Sequence, residues 1–168
     1  MHLYVGKLLD RPVGSRFDFK FDLGFQDLSS DVSVESIKGK LIFLRTEDGV
    51  LGYGTLAVGI ETECARCAEL VRNTVEIELE ESFSPVANIP PDEQVSPIDL
   101  NGYINLNPIL RDLVIVSTPM QILCRPDCKG LCPRCGTDLN QGQCDCEIDD
   151  VDPRLAVLKL MNLEKGIE

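Results

Sequence analysis

Six of the eight cysteines of this 168-residue chain fall between Cys124 and Cys146, in the run C-R-P-D-C-K-G-L-C-P-R-C-G-T-D-L-N-Q-G-Q-C-D-C. Within it, Cys132-Pro133-Arg134-Cys135-Gly136 has the form of a zinc knuckle. Two thiolates flank a tight turn, and the glycine after the second lets backbone amides point back at sulfur. A tetrahedral ion needs two further ligands. Cys144 and Cys146 return after an excursion through Asn140-Gln141-Gly142, which is turn chemistry. Cys132, Cys135, Cys144 and Cys146 are therefore the first candidate quartet for zinc. Cys124 and Cys128 are alternates for either pair, and spacing alone leaves the set open. A zinc held by four thiolates is closed and structural, with no position for a reacting water.

The other two cysteines form a second C-x2-C, Cys64-Ala65-Arg66-Cys67. One such pair supplies only two ligands. Three readings stay open: a second metal site completed by spare thiols from 124–146, a redox dithiol, or a pair that only packs. No βαβ pattern surrounds it, which argues against thioredoxin-like chemistry.

The remaining composition narrows the function classes. The N-terminal segment lacks the basic stretch and apolar run of a signal peptide. No apolar run approaches the roughly 20 residues that cross a bilayer. A cytoplasmic location is expected, where thiols stay reduced and clustered cysteines hold metal rather than disulfides. The formal net charge is −12 and the pI about 4.5. That disfavours broad contact with phosphate backbones and permits a basic protein partner. The only histidine is His2, so a Cys–His nucleophile or a His-centred acid–base pair is not expected. There is no phosphate-binding glycine loop. A binding or assembly protein is the expectation, without catalysis or a small-molecule substrate.

The elements that must position these cysteines show in the apolar pattern. Arg16 to Leu23 alternates, with Phe17, Phe19, Phe21 and Leu23 on the buried face of a strand. Val34 to Arg45 and Val50 to Glu63 read as strands joined by a Thr46-Glu47-Asp48-Gly49 hairpin turn. Val71 to Phe83 alternates again, Val75, Ile77 and Leu79 inward, Glu76, Glu78 and Glu80 outward. The Cys64/Cys67 pair therefore lies near the tip of a second hairpin. Glu76, Glu78 and Glu80 form an acidic face, either a solvated surface that discourages edge pairing or a docking strip for a basic partner. Residues 3–9 could form a short strand, 25–33 a loop, and the proline-rich 84–97 a mobile surface loop. Asn107 is expected to cap a helix with Pro108 at its first position, ending before Pro119. A last helix is expected from Asp152-Pro153. The fold class expected is α+β: an antiparallel β-rich N-terminal part, a central helix, a cysteine-rich zinc-binding module and a C-terminal helix. The division is 1–123 for the core and 124–168 for the module and last helix, packed as one domain.

Cys124, then Cys128-Lys129-Gly130-Leu131-Cys132-Pro133-Arg134-Cys135-Gly136, then Asp138-Leu139-Asn140, Cys144-Asp145-Cys146 and Asp152-Pro153-Arg154-Leu155-Ala156-Val157-Leu158, closely resemble the C-terminal motif of the YceD family, large ribosomal RNA subunit accumulation protein. Cys64-Ala65-Arg66-Cys67 is similar to that family's upstream C-x-R-C element. The resemblance implies a bacterial cytoplasmic protein of ribosome biogenesis, needed for accumulation of the large-subunit ribosomal RNA, with no established catalysis. Because the chain is acidic, it is expected to act through a ribosomal protein or large-subunit precursor particle. A second reading is direct RNA contact by the local basic cluster Arg125, Lys129 and Arg134 on the cysteine module.

Overall fold

Period-two alternation in this chain runs long enough to build most of the molecule. The structure, a computed structural model, describes residues 1–86 and 95–146. In chain order its elements are β1 (His2–Tyr4), α1 (Gly6–Leu9), β2 (Arg16–Leu23), β3 (Gln26–Asp27), β4 (Ser33–Val34), β5 (Ser36–Arg45), β6 (Val50–Glu63), β7 (Leu70–Pro85), β8 (Ser96–Ile98), β9 (Tyr103–Asn105) and α2 (Asn107–Ser117). Seven strands form one sheet in the order β1-β9-β8-β7-β6-β5-β2, and β3 and β4 pair separately. Neighbours in the large sheet are antiparallel except β7 and β8, which run parallel over Phe83–Pro85 and Ser96–Ile98.

The fold is therefore mostly β, and this corrects the α+β expectation. Only two helices occur among the described residues, one of them a single turn. Among the described residues helices form no layer of their own, because β6 and β7 continue for 14 and 16 residues and the sheet supplies most of the apolar core. The stretch expected to carry the last helix, from Asp152-Pro153, lies outside the described residues.

One face of the sheet is the core. Phe21, Ile37, Leu41, Phe43, Leu56, Val58, Ile60, Val75, Ile77, Leu79 and Phe83 are all buried on it, each at the alternate position of its strand. Phe17, Phe19 and Leu23 pack partly against it. The hairpin turn at 46–49 closes with the Thr46 N–H donating to Gly49 O at 3.0 Å, and the Gly49 N–H to Thr46 Oγ1 at 3.2 Å. Residues 3–9, expected as a strand, split into the end of β1 and the helical turn α1, which buries Leu8. The 25–33 segment carries the small β3–β4 pair.

Helix α2 lies against β7 and buries Leu110 and Val114. Its bounds match the helical spacing, and Thr118 leaves the helix in an extended conformation just before Pro119. The cap is different from the expected one. Asn107 is already helical, and its Oδ1 accepts from the Met1 amine rather than from the first turn. Arg111 on α2 pairs with Asp31 in the β3–β4 connection. No helix among the described residues is long and apolar enough to cross a membrane.

Candidate metal centres

Cys64 ends up buried at the tip of the β6–β7 hairpin because β6 and β7 pair without a break up to Glu63 and Leu70. The turn between them is tight. Its Cys64 N–H donates to Glu69 O at 2.8 Å, and the Ala68 N–H to Cys64 O at 3.0 Å. Ala68 takes the left-handed conformation, φ +58°, and is the one non-glycine residue with positive φ among those described.

The chain beyond α2 comes back over this tip. The Ala65 N–H donates to Ile122 O at 2.9 Å, and the Leu131 N–H to Arg66 O at 3.0 Å. Arg66 Nη1 donates to Cys128 O at 2.7 Å. Gly130, φ +76°, meets the same backbone: a Cβ there would stand 2.8 Å from Arg66 O. These contacts bring Cys124 and Cys128 to Cys64 and Cys67. The Sγ atoms lie 3.8 Å apart for Cys64 and Cys128, and 3.6 Å for Cys67 and Cys124.

The remaining four cysteines assemble locally. Cys132 to Gly136 turns back on itself, the Gly136 N–H donating to Cys132 O at 2.9 Å with φ +74°. Leu131 and Asp138 form an isolated antiparallel bridge, and the Asp138 carboxylate gathers the backbone and side chain of Asn140 and the side chain of Gln141. That loop delivers Cys144 and Cys146 to the knuckle. The structure thus holds two clusters, Cys64/Cys67/Cys124/Cys128 and Cys132/Cys135/Cys144/Cys146, with all four sulfurs of each within 4.8 Å of one another. Cys64, Cys128 and Cys132 are buried, and Cys135 is exposed.

Either cluster could hold a metal ion. Thiolates are soft donors, the class that selects zinc and similar ions over magnesium or calcium. The local electrostatics fit. The Arg66 N–H, and after it the Cys124 N–H, pull the Cys64 thiol down to about 6 against the effect of burial. The Cys135 and Arg134 N–H groups lower Cys132, and the Thr137 hydroxyl, at 3.2 Å, draws Cys135 down to about 6. Their neighbours move the other way. Burial pushes Cys124 up, and the adjacent Cys135 sulfur takes Cys146 up to about 12. Four sulfurs this close cannot all be anionic unless a cation sits among them.

The acidic strip is exposed on the sheet face opposite the core, Glu76, Glu78 and Glu80 lying beside Ala57, Thr55 and Tyr53 of β6. Among the described residues no ion pair reaches these three. On the same face Lys38 and Lys40 are engaged by Asp22 and Asp18. Arg125, Lys129 and Arg134 are exposed on the cysteine module, Arg125 with Asp127 at 3.7 Å. His2 is exposed on β1.

Sequence reasoning missed Arg66, Ala68, Asn140 and Thr137, which hold the sulfurs and their loops. The signal for the first two was available. Cys64-Ala65-Arg66-Cys67-Ala68 and Cys132-Pro133-Arg134-Cys135-Gly136 are two copies of one C-x-R-C turn followed by a small residue.

The family YceD, described as large ribosomal RNA subunit accumulation protein, matches residues 53–161. An uncharacterized protein of Mycobacterium tuberculosis is 34% identical over 135 residues, 78% of this chain and 60% of that protein. An uncharacterized protein of Mycobacterium leprae is 31% identical over 115 residues, 67% of this chain and 49% of that one. The chain thus spans 60% or less of the length of these mycobacterial relatives. A chloroplastic large ribosomal RNA subunit accumulation protein homologue of Arabidopsis thaliana is 35% identical over 65 residues, 39% of this chain and 18% of that protein. No solved structure matches the chain.

Proposed function

The chain belongs to the YceD family, large ribosomal RNA subunit accumulation protein, and from that premise we propose that it is a non-enzymatic, cytoplasmic factor supporting accumulation of the large-subunit ribosomal RNA. It works by holding a basic partner, a ribosomal protein or a large-subunit precursor particle. The observation that carries this reading is the exposed acidic strip Glu76, Glu78 and Glu80, which no ion pair reaches among the described residues, in a chain of net charge −12. Such a face attracts a cationic protein at long range and repels bare RNA. Cys132, Cys135, Cys144 and Cys146 hold a structural zinc. The zinc keeps the cysteine module in one shape, packed with the 1–123 core as a single domain.

Affinity purification of the full chain at moderate salt is the test. Large-subunit precursors and their proteins are expected to co-purify. Changing Glu76, Glu78 and Glu80 to Gln should lower that recovery several-fold, in line with loss of steering charge. Recovery unchanged by the triple substitution, or no association at all, would overturn the reading. A second reading has its own observation, the exposure of Arg125, Lys129 and Arg134 together on the module. It predicts that changing all three to Glu abolishes RNA recovery while ribosomal-protein recovery persists.

A further inference from the structure

We propose that Cys64, Cys67, Cys124 and Cys128 form a second tetrathiolate zinc site, which staples the tip of the β6–β7 hairpin to the chain beyond α2. The inference stands apart from the ribosomal reading and does not rest on it.

Geometry is the first support. A tetrahedral zinc with Zn–S bonds of about 2.3 Å has sulfur–sulfur edges of about 3.8 Å. The two contacts across the cluster are 3.8 Å and 3.6 Å, and all four sulfurs lie within 4.8 Å of one another. A disulfide would need about 2.0 Å. The edges thus suit a shared ion and not a bond between the sulfurs.

The backbone is the second support. The Cys64 turn repeats the Cys132 turn in detail: the same closing N–H to carbonyl bond, at 3.0 and 2.9 Å, and the same left-handed residue after the second cysteine, φ +58° and +74°. In the second turn that residue is glycine. In the first it is Ala68, whose Cβ makes the conformation unfavourable. A cysteine pair that only packs has no need of such a turn. A knuckle does, because the turn aims N–H groups at sulfur, and the Arg66 N–H lies 3.5 Å from Cys64 Sγ.

The surroundings are the third. Asn140 Nδ2 donates to Cys128 Sγ at 3.5 Å, and the Cys124 N–H to Cys64 Sγ at 3.4 Å. Outer partners of this kind orient metal ligands. Asn140 belongs to the loop that carries the other quartet, so the two sites share one framework.

The experiment is metal analysis of the full chain purified under reducing conditions, with cobalt(II) substitution as the spectroscopic probe. Two zinc ions per chain are expected. Cys124→Ser and Cys144→Ser should each retain one, and the double variant none. Cys67→His keeps a ligand in place, so it should retain two ions while the cobalt absorption shifts as one sulfur is replaced by nitrogen. This variant decides the matter if Cys124→Ser fails to fold. A single ion in the parent, lost with Cys124→Ser and kept with Cys144→Ser, would support this site and overturn the zinc assigned to Cys132, Cys135, Cys144 and Cys146. A parent that binds a single ion and keeps it in Cys124→Ser, or two ions kept by Cys124→Ser, would overturn this site. So would an unshifted cobalt spectrum in Cys67→His, or a Cys64–Cys128 or Cys67–Cys124 disulfide in the mass spectrum of the reduced preparation.

Discussion

Ala68 and Gly136 occupy the same place in two turns of one kind, and only one of them is the residue the conformation favours. A left-handed alanine costs roughly 1–2 kcal/mol against its usual conformations, part of which glycine gives back through its greater freedom when unfolded. Ala68→Gly is therefore expected to stabilise the metal-loaded protein by about 1 kcal/mol in urea unfolding. A second residue-scale prediction concerns Asp31. The Arg111 guanidinium, and after it the Ser29 hydroxyl, hold its carboxyl well below the usual range. A carboxyl depressed in the folded state contributes stability above its unfolded pKa of about 3.9, and loses it as pH falls towards the folded value. Thermal melts between neutral pH and pH 3 should show a smaller acid loss for Asp31→Asn than for the parent. Because both groups are partly solvated, the difference is expected to be small. At this scale the sequence picked out the thiols that the structure gathers into two clusters. It left open whether Cys124 and Cys128 serve the second knuckle, their near neighbour in sequence, or complete the one some 60 positions upstream, where the structure places them. That pairing depends on backbone contacts at Ile122, Arg66 and Leu131, and spacing carries no trace of them.

The β6–β7 hairpin is the element on which the rest is built. It forms the middle of the sheet, carries the acidic strip on one face and much of the core on the other, and ends in the first knuckle. Ile77 lies fully buried on it opposite Leu56. Ile77→Ala removes most of a close-packed side chain and is expected to cost about 2–5 kcal/mol in denaturant unfolding. A loss below about 1 kcal/mol would mean that this face is not the core. The long strands were legible because alternation over many residues leaves no other element: β6 begins and ends where the pattern does. The short ones were not. β8 and β9 have three residues each, and β8 pairs in parallel with a strand end more than ten positions away. Local periodicity cannot report such a contact. The fold class went astray for a related reason. The helical spacing of 107–117 was read correctly, but one amphipathic helix and one helical turn beside a seven-stranded sheet leave the described residues mostly β.

At the scale of the whole molecule, the core and the thiol clusters depend on different forces. The core cluster is built from apolar side chains and contains none of the eight cysteines, so burial alone holds it. The segment 124–146 has no strand or helix, buries few apolar side chains, and is joined to the sheet mainly through the hairpin tip and the sulfurs. Metal binding to such a segment is folding free energy for that segment. Chelation should therefore split the protein's response. With a strong chelator under reducing conditions, the far-ultraviolet signal of the sheet should persist, and amides of the core strands should stay protected in hydrogen exchange. Amides of 124–146 should lose protection, and restored zinc should bring it back. Acidification should mimic the chelator, since protons compete with the metal for every thiolate. Loss of the sheet signal along with the metal would show that the core does not stand on its own apolar contacts. Unchanged protection across 124–146 after complete metal removal would show that backbone contacts, and not sulfur, hold that segment to the hairpin.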